Sequence, residues 1–148
     1  MFKKILIANR AEIALRVIRA ARELGIKTVA VYSDSDAGAP HTRFADERIA
    51  LKGTSAKDSY LNQAKILSAA HICGADAIHP GYGFLSEDDD FAEACEKNGI
   101  VFIGPTPDNI RAMGDKLASR DLMKKAGVPI VPGSDGPVTS VDEAQQWS

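Results

Sequence analysis

Cysteine is scarce: only Cys73 and Cys95 occur among 148 residues, with no Cys-x-x-Cys pair and no histidine at metal-ligand spacing. That excludes a disulfide framework and a thiolate zinc site, and both residues read as buried free thiols. Long apolar runs are missing as well. The longest near the start, Ile5-Leu6-Ile7-Ala8, gives way at once to Asn9-Arg10, far short of a signal h-region or a membrane span. Neither sign of charge dominates. A net charge of -2 and a pI near 5.9 supply no overall field for nucleic acid or an anionic membrane, so neither partner is expected and a cytoplasmic location is. His41, His71 and His79 are scattered, and none reads as a catalytic base; His71 falls near a helix end, where a cation suits the dipole. No Gly-x-x-x-x-Gly-Lys-Ser/Thr phosphate loop is present.

What is present is the ordinary makeup of a globular domain, 45% hydrophobic and 26% charged. Short β-rich runs at residues 4–8, 27–32, 48–51, 75–78 and 100–103 alternate with helical patterns, which predicts a parallel sheet flanked by helices. Ile13, Val17, Ala20, Ala21 and Leu24 form an apolar stripe on the first helix, with Gly25 as its C′ residue. A second helix is predicted over residues 60–70, opened by Asp58 or Ser59 and ended near Gly74. Ser86 and Asp89 resemble a capping box for the next, in which Asp88-Asp89-Asp90 serves the dipole rather than a metal. Beyond Gly104-Pro105-Thr106-Pro107, residues 108–113 and 116–126 read as helical, ending at Gly127-Val128-Pro129. A turn-rich linker over residues 131–137 precedes a capping signature, Ser140 and Glu143, for a helix near Val141 that stops before it can bury a face. The reading is of a piece of a longer polypeptide.

Strand, helix and strand over residues 4–32, with Asp34 after the second strand, invite a dinucleotide-binding reading. The turn Asn9-Arg10-Ala11-Glu12-Ile13-Ala14 argues against it, lacking the glycines and adding a negative charge at the helix N-terminus. Arg16, Arg19 and Glu23 lie opposite the apolar stripe and read, by pattern, as a solvated ionic face with an Arg19–Glu23 pair. Lys116 opens a helix, where the dipole disfavours a cation. A phosphate-bearing ligand and a lysine extended into water account for it equally well. The most distinctive stretch is His79-Pro80-Gly81-Tyr82-Gly83-Phe84-Leu85-Ser86-Glu87, where a strand hands over to a helix. Its glycines and proline predict a stiff open loop that presents Tyr82 outward, more than a mere connection requires.

That loop, with Lys4 to Arg10 and Glu12-Ile13-Ala14, Phe102-Ile103-Gly104-Pro105, Met113-Gly114-Asp115-Lys116 and Gly127-Val128-Pro129, resembles biotin carboxylase, in order and spacing and from end to end. The resemblance implies a preATP-grasp, Rossmann-like α/β domain over residues 1–114, followed at 115–148 by a connecting helix and the truncated start of an ATP-grasp domain. It implies an ATP-dependent ligase that carboxylates biotin with bicarbonate and Mg2+, the first half-reaction of an acetyl-CoA, propionyl-CoA, pyruvate or urea carboxylase. Tyr82 and Gly83 would lie beside biotin and Lys116 would contact ATP. Arg16, Arg19 and Glu23 would lie in a homodimer interface, reversing the solvated reading of that face. No catalytic residue and no metal ligand is implied within these residues: the phosphate-covering glycine loop and the magnesium-binding glutamates would fall beyond Ser148. The segment alone is therefore expected to be inactive, with the rest of the chain, a biotin carboxyl carrier and a carboxyltransferase as partners. One departure is Ala11, where the family commonly has glycine. Rival readings are another ATP-grasp ligase such as carbamoyl phosphate synthetase, and a non-catalytic dimerisation module.

Overall fold

In the computed structural model, residues 1–114 and 116–131 are described, the side chains of residues 116–118 excepted. The apolar runs form five strands, β1 (Lys4–Ile7), β2 (Lys27–Tyr32), β3 (Glu47–Ala50), β4 (Ala77–His79) and β5 (Val101–Phe102). All pair in parallel in the order β3-β2-β1-β4-β5, as the alternating pattern predicts. Six α-helices accompany them among the described residues: α1 (Ala11–Glu23), α2 (Pro40–Phe44), α3 (Gln63–Cys73), α4 (Asp89–Lys97), α5 (Pro107–Gly114) and α6 (Lys116–Lys125), with a short 3-10 turn at Asp34–Asp36. The chain divides into two compact units, Met1–Pro107 and the residues from Asp108 onward. The expected linker beyond Val131 and the helix near Val141 lie outside the described residues.

Crossovers in parallel sheets are right-handed. The step from β1 to β2 and the step from β4 to β5 run in opposite directions, so α1 and α4 fall on opposite faces, and the order reverses between β1 and β4. On one face Ile5, Ile7 and Ala77 pack against Ala14, Val17, Ile18 and Ala21 of α1. Strand alternation turns Leu6 and Ile78 to the other face, where fully buried Phe91 of α4 meets Phe102 edge-on, the rings 6.0 Å apart.

Three local expectations need correction. The buried stripe of α1 is rotated from the predicted one: Ala14 and Ile18 join Val17 and Ala21, while Ala20 and Leu24 are exposed, because positions 14, 17, 18 and 21 follow the i, i+3, i+4, i+7 spacing of one helix face and 20 and 24 fall off it. Helix α3 begins at Gln63 rather than near Tyr60, capped by Asn62, whose side chain accepts the Lys65 N–H. Asp58 and Ser59 cannot cap it, since both are engaged by Ser55 in the preceding turn. In α4 the cap is Asp88, not Ser86; its carboxylate accepts the Phe91 N–H at 2.8 Å and also the Gln63 amide. Helix α2 escaped the sequence reading because five residues are too few to show a period.

Candidate functional site

Where the strand order reverses, the turns leaving β1 and β4 are joined side by side. The Ala8 N–H donates to the His79 carbonyl at 2.9 Å. Beyond it Asn9, only 3% exposed, donates from Nδ2 to the carbonyls of Pro80 at 2.7 Å and Tyr82 at 2.9 Å, while its Oδ1 accepts the Arg10 N–H. One buried amide thus staples the glycine loop to the first turn. Gly81 is left-handed at φ +69°, and a Cβ there would stand 2.8 Å from Asn9 Nδ2 and 3.1 Å from Ile13. Gly83 is left-handed too, at φ +66°, yet a Cβ there would meet nothing within 4 Å. The first glycine is needed for space as well as torsion, the second for torsion alone.

Tyr82 points outward as expected, 63% exposed, and its hydroxyl donates to Glu12 Oε2 at 3.2 Å. Together with Asn9, Arg10, Ala11, Glu12 and Ile13, the Tyr82-Gly83-Phe84 segment lines a concavity of about 330 Å³. His79 serves this turn as an acceptor: its Nδ1 takes the Gly81 N–H at 3.0 Å, and burial lowers its pKa, so the neutral ring is the resident form.

Beneath the loop lies a polar cluster that the sequence reading missed. Phe84, at φ +46°, stacks on Tyr60 with centroids 5.2 Å apart and planes 17° from parallel. Tyr60 is 1% exposed, and its hydroxyl donates to Asp36 Oδ2 at 2.6 Å while accepting the Ser33 N–H. Ser33 Oγ donates to the same carboxylate oxygen, and Arg10 stands 3.3 Å from it with its guanidinium 5.8 Å from the Tyr60 ring centre. Burial and the Asp36 carboxylate push the Tyr60 hydroxyl up to about 12. Burial also opposes ionisation of Asp36, but the bonds from Tyr60 and Ser33 and the Arg10 charge prevail and hold its pKa below the usual carboxylate value. Asp34, the position at which a ribose-binding acid would stand, is occupied structurally: it accepts the Gly53 N–H at 2.9 Å.

Ala11 is left-handed, at φ +55°, and has the Cβ that glycine lacks. Ala11→Gly removes about 1–2 kcal/mol of that strain and returns part of it as unfolded-chain entropy. The expected net gain is about 1 kcal/mol, read as a thermal midpoint higher by about 3 °C. An unchanged or lower midpoint refutes the strain.

The remaining predicted residues are dispersed. Arg16, Arg19 and Glu23 are all exposed on α1. Among the described residues no ion pair joins Arg19 to Glu23; Arg16 instead approaches Glu12 at 3.5 Å, one turn nearer the site. Lys116 opens α6, and its side chain lies outside the described residues. Cys73 and Cys95 are free, and burial pushes the Cys95 thiol up to about 12, as befits an inert core residue. Among the described residues no helix is long and apolar enough to cross a membrane, and no three acidic, histidine or cysteine side chains cluster as metal ligands.

Acid sensitivity follows from the buried histidines. His41 is fully buried; the Val31 carbonyl can only accept, so Nε2 carries the proton and Nδ1 is left without a partner. Burial lowers the pKa of both His41 and His79 from 6.5, so their contribution is complete above that value and is lost as pH falls from it through their folded values. Asp36 and Asp46 are held below 3.8, so theirs fades only as pH falls below that. Stability by urea denaturation is expected to fall between about pH 7.5 and 5.5, above the range in which Asp36 and Asp46 lose their contribution. An equal midpoint at both values contradicts this.

A parallel sheet with an open concavity at the carboxyl ends of the strands, where their order reverses, defines a Rossmann-like α/β domain. The chain belongs to the family described as "Biotin carboxylase, N-terminal domain", whose profile matches residues 1–110. It is 58% identical to biotin carboxylase 1 of Bacillus subtilis over 97% of this chain and 32% of that protein. Among solved structures, the biotin carboxylase domain dimer of Hydrogenobacter thermophilus 2-oxoglutarate carboxylase, in complex with MgADP, ADP and bicarbonate, matches with a TM-score of 0.89 and 54% identity over 99% of this chain and 32% of that one. The Campylobacter jejuni biotin carboxylase matches with a TM-score of 0.92 and 46% identity over 99% of this chain and 33% of that one. The chain thus spans about a third of the length of these relatives. Between the readings of biotin carboxylase and another ATP-grasp ligase, the family match decides for the first.

Proposed function

We propose that this chain forms the amino-terminal wall of a biotin carboxylase, and that the whole protein carboxylates biotin with ATP, Mg2+ and bicarbonate. The observation that carries the reading is the outward Tyr82 on a left-handed glycine frame beside an open concavity at the strand ends. Tyr82 supplies an apolar face for a flat bicyclic ligand, and Gly83, with open space where its Cβ would be, lets that ligand approach the main chain. What biotin supplies when bound is the nitrogen that accepts the carboxyl group; this chain's residues bind and orient it. Lys116, at the start of α6, would neutralise a phosphate of ATP. Residues 115–148 would open the ATP-grasp region, and Arg16, Arg19 and Glu23 would face the partner in a homodimer. A carrier domain and a carboxyltransferase complete the enzyme, in a cytoplasm that keeps Cys73 and Cys95 reduced. The segment alone would lack carboxylase activity.

In the full-length protein, Tyr82→Ala is expected to raise KM for free biotin about tenfold, the equivalent of about 1.4 kcal/mol of lost ring contact, with KM for ATP within about twofold. A biotin KM that does not move defeats the assignment.

A further inference from the structure

We infer that Tyr60 is a positioning residue for this reaction: anchored by Asp36 and stacked on Phe84, it sets the conformation of the Tyr82-Gly83 loop toward its ligand. The inference rests on the proposed role of that loop. Tyr60 reaches the residues read as ligand contacts through Phe84, the next residue after Gly83.

Three observations converge. First, Phe84 directly follows Gly83 and is the only non-glycine of this loop at positive φ, so its backbone is held against its own preference by something outside the loop. Its ring stack on Tyr60, at 5.2 Å and 17°, is the contact that holds it. Second, a ring needed only to fill space would be phenylalanine. Tyr60 instead carries a hydroxyl with partners on both sides, accepting from the Ser33 backbone and donating to Asp36, so its position is fixed in the plane of the ring and not only against it. Third, the anchors come from different turns at the same end of the sheet: Arg10 follows β1, while Ser33 and Asp36 follow β2. Arg10 lies over the Tyr60 ring and also beside Asp36, so the β1 turn that Asn9 staples to the loop is tied to the ring beneath it. The loop is therefore held from its side by Asn9 and from below by Tyr60. Main-chain direction at Phe84 fixes where Tyr82 and Gly83 stand.

The test uses the full-length protein and the variants Tyr60→Leu, Tyr60→Phe and Phe84→Leu, read by steady-state kinetics with free biotin and by amide hydrogen exchange. Tyr60→Leu and Phe84→Leu are each expected to raise KM for biotin fivefold or more, with KM for ATP within twofold, and to speed exchange in the segment 81–85 without speeding it in β1 or β4. The double variant is expected to be no worse than the worse single one, since both remove the same stack. Tyr60→Phe, which keeps the stack on Phe84 but loses the hydroxyl's bonds to Ser33 and Asp36, is expected to fall between the parent and Tyr60→Leu in both readouts. Unchanged exchange at 81–85 in both leucine variants overturns the inference, as does a parallel rise in both KM values, which marks a merely structural role. If Tyr60→Leu does not fold, Phe84→Leu decides alone, since it removes the same contact from the half-buried side. The underlying reading fails separately: Tyr82→Ala with an unmoved biotin KM defeats the biotin assignment, whereas a raised KM there beside unmoved values in the Tyr60 and Phe84 variants defeats only the positioning role.

Discussion

Asn9→Asp is expected to destabilise the protein by about 3 kcal/mol or more, and by more than Asn9→Ala, although aspartate matches asparagine in shape. The reason is the direction of the hydrogen bonds. Asn9 Nδ2 donates to two carbonyl oxygens, at 2.7 and 2.9 Å. Alanine leaves both carbonyls without their partner, at about 1 kcal/mol or more each. Aspartate does worse, setting a carboxylate oxygen against two carbonyl oxygens in a site only 3% exposed, where a charge is poorly solvated and unpaired. Its one escape is to take up a proton, which raises its pKa and itself costs free energy at neutral pH. Urea denaturation of the two variants beside the parent protein orders them directly. An Asn9→Asp variant as stable as Asn9→Ala means that the amide does not staple the loop. Loosening that staple frees the Tyr82 carbonyl, so the biotin KM is expected to rise with the loss of stability.

The parts of this architecture that were legible in the sequence are those written locally. Alternation of β-rich runs with helical stretches located all five strands, because burial on both faces of a parallel sheet leaves near-continuous apolar segments such as Ile5-Leu6-Ile7. The loop after β4 was legible because two glycines and a proline around an aromatic, where a strand hands over to a helix, are more than a mere connection requires. Asn9, Arg10, Asp36 and Tyr60 were not, and the cause is distance along the chain. Asn9 reaches carbonyls more than seventy positions away, and Tyr60 meets a carboxylate 24 positions earlier. A local reading saw only a strand end and the start of a helix. The available signal was chemical: a buried-type tyrosine among turn residues, and an asparagine directly between a strand and a helix, a position that favours side-chain bonds to main chain. The Asp36 cluster assembles only after β1 and β2 lie in register, so no window of sequence contains it.

Gly81→Ala should be the most damaging single methyl that can be added to the loop, about 3 kcal/mol against about 1 kcal/mol for Gly83→Ala. The two glycines have almost the same torsion, φ +69° and +66°, so the left-handed penalty, about 1–2 kcal/mol less the entropy that alanine removes from the unfolded chain, is common to both. What differs is the neighbourhood. At Gly83 the new methyl enters open space, whereas at Gly81 it lands 2.8 Å from Asn9 Nδ2 and 3.1 Å from Ile13 Cγ1. Asn9 cannot retreat without releasing Pro80 and Tyr82, and Ile13 cannot retreat without shifting α1. The excess at Gly81 therefore belongs to a contact, and a double-mutant cycle isolates it. In an Asn9→Ala background the collision with the amide is gone, and Gly81→Ala is expected to cost about 1 kcal/mol less than in the parent protein. Additive losses would place the difference between the two glycines in the backbone, and the staple would no longer explain why a glycine stands at position 81.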